Sequence, residues 1–218
     1  MHKSINNLIQ IQKEIHLKNT DLKSKINIIA VSKTFSKEEI LPLINYGHTD
    51  FGENKVQEAI DKWSKIKDEK PDLNLHMVGR LQTNKVKQAV KLFDYIHSLD
   101  SVKLAKKISE EINKINKDIK IFIQINIGNE NQKSGIMIND LDNFYNECVK
   151  ELKLNIIGLM CLPPMNIDPS ISFTKMEQAA KKLSLNHLSM GMSSDYLEAI
   201  KFKANYLRIG TKIFGQRN

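Results

Sequence analysis

The sequence predicts an α/β fold, a single (β/α)8 TIM-like barrel preceded by one extra helix at the N terminus. Eight short apolar segments rich in β-branched residues alternate with stretches of helical periodicity, and this alternation indicates a parallel sheet. A count of eight strands favours a closed barrel over an open sheet, and 218 residues fall within the size range of a small barrel. We therefore expect residues 1–218 to form one domain.

The first elements follow from local patterns. Apolar residues spaced along positions 4–18 predict the N-terminal helix, and the run at 26–31 predicts the first strand. Ser36 and Glu39 have the spacing of a capping box, so a second helix is expected from there to about Tyr46, with Gly47 ending it. The other strands are predicted at residues 48–52, 73–78, 95–99, 119–127, 154–161, 187–190 and 206–209.

Helices are predicted after most of these strands. One is expected at about residues 54–67, another from about residue 82, and a third capped by Asp100 or Ser101. Asn139 is the expected cap of the helix after the fifth strand, and a further helix is expected from about residue 194. Residues 162–169 hold three prolines, which predict a loop between the sixth and seventh strands.

Composition and charge limit the function classes. The formal net charge is +8, but the lysines are scattered along most predicted helices and aromatic residues make up only 6%, so nucleic-acid binding is not expected. No apolar stretch is long enough to cross a bilayer, and residues 1–7 lack the features of a signal peptide. We therefore expect a cytoplasmic protein with no membrane contact. Cys148 and Cys161 show no metal-type spacing and are expected to be buried thiols.

Lys33 is the sharpest chemical candidate. It follows the first apolar strand, and the active site of a barrel lies at the ends of its strands. Partial desolvation lowers the pKa of an amine, and a neutral amine can form a Schiff base with an aldehyde. Position alone does not decide this, because most lysines at strand ends reach into solvent.

Two glycine-containing turns follow the seventh and eighth strands, at residues 189–194 and 208–211. Barrels of this kind often bind phosphate after those two strands, where backbone N–H groups and hydroxyls can reach the anion. An amine opposite a phosphate site indicates a phosphorylated aldehyde, which fits pyridoxal 5′-phosphate (PLP) and equally the substrate of a sugar-phosphate aldolase. The widely spaced histidines in or beside strands are interpreted as structural, with no metal site: His48, His76, His97 and His187.

The motifs of the chain resemble those of the pyridoxal phosphate homeostasis proteins, a family related to the barrel domain of bacterial alanine racemase. The resemblance extends from about residue 26 to 217 and rests on AVSKT at 30–34, FGENKVQE at 51–58, HMVGRLQTNK at 76–85, IHSLD at 96–100, QINI at 124–127 with Glu130, Lys133 and Gly135, GLM at 158–160, LSMGMS at 188–193 with Asp195, and RIGT at 208–211.

The resemblance implies a fold type III PLP-binding barrel and a role for each matching residue. Lys33 would carry PLP as a Schiff base, and Arg208 would face the pyridine nitrogen. Asn54 would lie near the ring hydroxyl and Met190 beside the ring, while Glu53, Gln82 and Asn84 would only hold the rim together. The implied phosphate-binding residues are Ser189, Gly210 and Thr211, with backbone groups around Gly191 and Met192.

The same resemblance implies binding with little or no catalytic turnover, and therefore no catalytic residues. An arginine stays charged and cannot accept a proton, so Arg208 would keep the pyridine nitrogen unprotonated and weaken the ring as an electron sink. Alanine racemases take a tyrosine base from a separate C-terminal domain, for which the sequence after the last strand leaves no expected room. The alternative is a PLP-dependent amino-acid racemase. Expected partners are PLP and PLP-dependent apoenzymes, and the expected oligomeric state is a monomer.

Overall fold

The computed structural model describes residues 1–18, 25–128, 130 and 134–216. Within them, parallel strands close into a barrel in which neighbours in sequence are neighbours in space, and β8 pairs with β1. This architecture confirms the predicted fold class. The strands are β1 Asn27–Val31, β2 Asp50–Glu53, β3 Asn74–Met77, β4 Tyr95–Leu99, β5 Lys120–Ile125, β6 Ile156–Cys161, β7 His187–Ser189 and β8 Tyr206–Ile209.

Helices cover the outside of the barrel. They are α1 Lys3–Lys18, α2 Lys37–Asn45, α3 Val56–Glu69, α4 Val86–Leu92, α5 Val102–Ile115, α6 Leu141–Asn146, α7 Pro169–Lys182, α8 Tyr196–Lys201 and α9 Thr211–Phe214. Short 3-10 turns at Thr83–Lys85 and Ile138–Asp140 precede α4 and α6, and a π-helical turn at Glu147–Glu151 follows α6. None of the helices in the described ranges is both long and apolar enough to cross a membrane.

The core has two parts because successive side chains of a strand point to opposite faces. A large cluster fills the space between strands and helices, and it includes the fully buried Trp63 and Phe173. A smaller cluster lies inside the barrel and contains Ile29, Val31, Tyr95, Phe122, Met160 and Tyr206. The interior is therefore closed to solvent along its length, and any ligand must approach from one end.

Most predicted helix starts agree with the structure. The backbone N–H of Ser36 donates to Glu39 Oε2 at 2.7 Å, as the capping box requires, and Gly47 has φ +97°. Ser101 is the cap of α5, since its hydroxyl accepts from Leu104 N at 3.4 Å. Asn139 is not a cap: it lies inside the 3-10 turn, and Asp140 directly precedes α6.

The proline-rich loop predicted at residues 162–169 is confirmed as far as residue 168, but the helix α7 that follows it was not predicted. Pro169 instead occupies the first turn of α7, where a missing N–H costs nothing and a fixed φ favours the helix. The Asp168 side chain caps this turn by accepting from Ser170 N at 2.9 Å. Phe173, Met176 and Ala180 then form the buried stripe that anchors α7 on the barrel.

Candidate functional site

The predicted site residues gather at the end of the barrel where the strands finish. The carboxyl ends of parallel strands lie on one face, so residues far apart in sequence meet there. Lys33 lies two residues beyond β1, Asn54 directly follows β2, and Ser189 ends β7. Arg208 is the third residue of β8, and Gly210 and Thr211 form the start of α9. Lys133, part of the family motif, lies outside the described residues.

The turns after β7 and β8 need their glycines. Gly191 has φ +90°, and a Cβ there would stand 2.8 Å from the Cβ of Ala199, so a larger residue would be strained and would clash. A Cβ at Gly210 would approach the carbonyl oxygen of Val31 to 3.2 Å. The first turn is also joined to β8, because Arg208 N donates to Gly191 O at 3.0 Å. Both backbones therefore lie close to neighbouring elements.

Ser193 marks the place where the two turns meet. Its hydroxyl accepts from the backbone N–H of Lys212, in the first turn of α9, at 3.2 Å. The side chain is partly exposed, unlike that of Ser189. Sequence reasoning had singled out the whole turn but chose Ser189 from it. The signal for Ser193 was present in that turn, but only the contact with α9 distinguishes the two serines.

Ser189 and Met190 have no exposed surface. The Ser189 hydroxyl is hydrogen-bonded to His97 Nδ1 at 2.8 Å and to Arg208 at 2.7 Å. Met190 belongs to the large cluster between strands and helices. The Met192 N–H donates to Asp195 Oδ1 at 2.6 Å, which stabilises the turn from within. These residues therefore build the wall behind the turns.

Hydrogen bonds to residues of β6 and β7 fix the guanidinium of Arg208. One terminal nitrogen of its guanidinium donates to Ser189 O at 2.5 Å and to Ser189 Oγ at 2.7 Å, and the other donates to Cys161 O at 2.8 Å. Burial lowers the pKa of Arg208 from its ordinary value, but a guanidinium stays charged in proteins. The end of the barrel where the strands finish, which we call the mouth, thus contains a positive charge that has little freedom to move.

The turn that bears Lys33 is anchored by a buried ion pair. Ser32 Oγ donates to Glu53 Oε1 at 2.8 Å, and Lys62 Nζ, from α3, donates to Glu53 Oε1 at 2.9 Å and to Ser32 O at 2.8 Å. Thr34 has φ +69°, a conformation that is costly for a residue other than glycine and persists only where surrounding contacts impose it. The Lys33 side chain is partly buried.

Polar residues connect the two ends of the barrel through its interior. Asp50, the first residue of β2, contacts His76 at 3.1 Å, and His76 contacts His97 at 3.0 Å. His97 contacts Ser189, which contacts Arg208. We call these five residues the interior chain. In the part of the chain that the structure describes, no group of three or more His, Cys, Asp or Glu residues could hold a metal ion.

The two cysteines are buried and free, as the sequence predicted. Burial raises the pKa of the Cys148 and Cys161 thiols to about 12, so neither thiol is a nucleophile at neutral pH. The groups left for chemistry at the mouth are therefore the Lys33 amine in the turn after β1, the Arg208 guanidinium, and two glycine turns with hydroxyls. This donor set fits a small aldehyde that carries a phosphate and a ring nitrogen.

Comparison with protein families gives a match over nearly the whole chain. The model of the alanine racemase N-terminal domain matches residues 7–218. The chain is 34% identical to the pyridoxal phosphate homeostasis protein of Pasteurella multocida over 97% of both chains. It is 37% identical to the protein of the same name from Aquifex aeolicus, over 87% of this chain and 86% of that one.

Solved structures give the same grouping. PipY of Synechococcus elongatus without PLP superposes with a TM-score of 0.88 at 31% identity, covering 98% of this chain and 100% of that chain. The PLP-bound form of PipY has a TM-score of 0.82 at 32% identity, covering 94% and 100%. An alanine racemase of Clostridium difficile has a TM-score of 0.74 at 14% identity, covering 99% of this chain and 57% of that chain, and it shares the fold.

Proposed function

Because the chain belongs to the pyridoxal phosphate homeostasis protein family, we propose that it holds PLP as a Schiff base on Lys33 and buffers or delivers this cofactor inside the cell. The observation that carries the proposal is the arrangement of the mouth. The Lys33 turn, the buried Arg208 and the two glycine turns lie at one end of the barrel. These are the groups that the aldehyde, ring nitrogen and phosphate of PLP require.

Lys33 is proposed to form the covalent bond. Its Nζ adds to the aldehyde carbon, the carbonyl oxygen leaves as water, and a C=N bond remains. The step is reversible, so the bond holds PLP and also releases it. The Ser32, Glu53 and Lys62 contacts support this role, because they fix the backbone on which Lys33 is carried.

The phosphate is proposed to lie between the turns after β7 and β8. Gly210 and Thr211, with the backbone around Gly191, are proposed to contribute donors there, while the Met192 N–H, which donates to Asp195, helps to keep the turn in place. We add Ser193 to this set, because its partly exposed hydroxyl lies where the turns meet. Ser189 is proposed to support this set from behind, because its buried hydroxyl is already bonded to His97 and Arg208.

Arg208 is proposed to face the pyridine nitrogen and Asn54 to lie near the ring hydroxyl, while Met190, whose side chain packs between strands and helices, supports the wall behind the ring. When bound, PLP supplies an electron-withdrawing ring, whose power depends on the protonation of its nitrogen. Arg208 can only donate, so it leaves that nitrogen unprotonated. The residues at the mouth therefore favour binding over amino-acid turnover, and we assign no catalytic residue.

The proposal is tested by the mass of the borohydride-reduced protein after incubation with PLP. Reduction makes the C=N bond permanent, so the wild type should gain one pyridoxyl phosphate and Lys33→Ala should gain none at stoichiometric PLP. Lys55→Ala is the matched control, since Lys55 is an exposed lysine two residues after β2, at the same end of the barrel. An unmodified wild type, or equal labelling of Lys33→Ala, would overturn the assignment.

The setting of this function is also proposed. PLP is the ligand, PLP-dependent apoenzymes are the receiving partners, and the cytoplasm is the compartment in which those apoenzymes are supplied. We propose that the chain acts as a monomer without nucleic acid or membrane partners, because the groups at the mouth come from strands of one barrel. Light scattering that gave twice the mass of one chain would contradict the monomer.

A further inference from the structure

The interior chain crosses a region that other barrels fill with apolar side chains. It begins at the end where the strands start, with an Asp50 side chain that is 18% exposed, and it reaches Arg208 at the opposite end. His76, His97 and Ser189 between them have no exposed surface. Each buried polar group costs free energy unless it is hydrogen-bonded, so a continuous chain of this length needs every link to be made.

The two ends fix the direction of every hydrogen bond. Arg208 can only donate, so the Ser189 hydroxyl accepts from it and keeps its own proton for His97 Nδ1, which lacks a proton when the neutral ring donates through Nε2. A neutral His97 then carries its proton on Nε2 and donates to His76 Nδ1. His76 likewise carries its proton on Nε2 and donates to Asp50 Oδ1. The reverse order would direct an unprotonated ring nitrogen at a carboxylate.

The surroundings of the chain agree with this proton order. Burial lowers the pKa of His76 and holds that of His97 well below its ordinary value, so both rings are neutral at neutral pH. Burial alone would raise the pKa of Asp50, but the hydrogen bonds that its carboxylate accepts from His76 and Thr49 lower it on balance and keep the carboxylate ionised. Ring stacking fixes both imidazoles, with His76 at 4.1 Å from Tyr95 and His97 at 4.3 Å from Phe122.

We propose that Asp50, His76, His97 and Ser189 are positioning residues that orient Arg208 and balance its charge from the far end of the barrel. A continuous chain of hydrogen bonds, all donated in the same direction, connects the Arg208 guanidinium at the mouth to the Asp50 carboxylate at the opposite end. The positive field that a ligand meets at Arg208 is therefore set partly by Asp50, which no ligand at the mouth touches. This inference rests on the proposed function only where a bound cofactor is used to read out that field.

The proton order is tested in protein without cofactor. Nitrogen-15 NMR of histidine-labelled protein should show His76 and His97 as neutral rings with the proton on Nε2, and neither should titrate near the ordinary histidine pKa of about 6.5. Tyr95→Phe, which retains the ring beside His76, should leave this pattern unchanged. A proton on Nδ1 of either ring, or an ordinary titration, would overturn the chain. This measurement does not depend on PLP binding.

The charge balance is tested with Asp50→Asn after loading with PLP. The amide oxygen can still accept from His76, so the hydrogen bonds persist while the negative charge is lost. A less balanced Arg208 disfavours protonation nearby, so the visible absorbance of the Lys33 Schiff base should titrate at a lower pH, by up to about one unit. The control is Asp94→Asn, which removes a charge directly before β4 that acts on His76 only through space, since Asp94 is hydrogen-bonded to Lys67 and Leu75 N.

Outcomes of the two tests separate the two proposals. An unchanged pH midpoint of the Schiff-base absorbance in Asp50→Asn, or an equal shift of that midpoint in Asp94→Asn, would show that the interior chain does not couple Asp50 to the mouth. Failure of the wild type to bind PLP would overturn the proposed function, and the NMR pattern would still decide the chain. If Asp50→Asn does not fold, Ser189→Ala removes the link between His97 and Arg208 and should likewise lower the titration midpoint, whereas a midpoint equal to that of the wild type would overturn the coupling.

Discussion

At the scale of single residues, Lys62 supports the proposed site: its side chain is only 7% exposed and lies beneath the Lys33 turn. It donates to Ser32 O and to Glu53 Oε1, and Glu53 also accepts from Ser32 Oγ and from Trp63 Nε1. A buried carboxylate that loses its cation is left uncompensated in a medium of low dielectric constant. The Lys62–Glu53 pair is therefore needed to hold the backbone turn that carries Lys33.

Lys62→Met should lower the free energy of unfolding by about 3 kcal/mol, because Glu53 then loses its buried partner. The substitution should also weaken PLP loading, because the hydrogen bond from Lys62 Nζ to Ser32 O is lost. Urea unfolding and the visible absorbance measure the two effects. Lys65→Met is the control on the same helix: Lys65 is 83% exposed and pairs with Glu69 at 3.9 Å, so a change within about 0.5 kcal/mol is expected. Equal effects of both variants would contradict the buried role.

At the scale of elements, α1 supports the short helix α9 at the proposed phosphate site. Asn7 Nδ2 donates to Ile213 O at 2.8 Å, and Lys212 Nζ contacts Glu14 at 2.8 Å. The Tyr196 hydroxyl, from α8, donates to the same Glu14 carboxylate. A four-residue helix cannot hold its own conformation in water, so these contacts from α1 and α8 determine where α9 lies.

Glu14→Gln should remove a pH-dependent part of the stability. Hydrogen bonds from Lys212 and Tyr196 lower the pKa of Glu14 from 4.5 to about 2. The contribution is fully present above about 4.5 and is lost as the pH falls through about 2. At pH 6 the variant should lose about 1–2 kcal/mol of unfolding free energy in urea, and the difference from wild type should shrink towards pH 2.

The control for Glu14 is Glu110→Gln, which breaks an exposed pair with Lys107 on α5. Glu110 is 60% exposed, and pairs of this kind contribute little because solvent screens them. A difference between Glu14→Gln and wild type that stayed constant from pH 6 to pH 2 would show that the carboxylate charge is not what matters.

At the scale of the whole molecule, closure of the barrel joins the two halves of the proposed site. Lys33 follows β1 and the glycine turns follow β7 and β8, and these strands are neighbours only because β8 pairs with β1. A ligand that contacts both sides binds the native state alone, since unfolding separates them. Ligand binding and barrel closure are thus linked equilibria.

Saturating PLP should therefore raise the free energy of unfolding by about 2.7 kcal/mol at a concentration 100 times Kd, with Kd taken from a visible titration. Pyridoxal, which has the aldehyde without the phosphate, should stabilise less at the same concentration because it cannot use the turns after β7 and β8. Thermal unfolding in the presence of each compound measures this. Equal shifts in Tm from both compounds would indicate that the turns do not bind phosphate.

The elements and the site were predictable to different degrees. Short apolar runs and the Ser36–Glu39 spacing are local signals, so most strands and the start of α2 were predicted correctly. The predicted loop at residues 162–169 is correct as far as residue 168, but α7 was missed, because a proline that breaks a helix interior also begins one and only the packing of Phe173 and Met176 distinguishes the two. Glu53 was assigned to the rim from its motif, and the structure buries it under the Lys33 turn.

The sequence by itself determined the fold class, the family and the identity of Lys33 and Arg208 as chemical candidates, because periodicity and motifs depend only on the order of residues along the chain. The tertiary structure alone decided that Ser193 meets α9, that Ser189 binds Arg208, and that His76 and His97 join Asp50 to the mouth. The physical reason is that these contacts link different strands, and their alignment depends on the closure and register of the barrel.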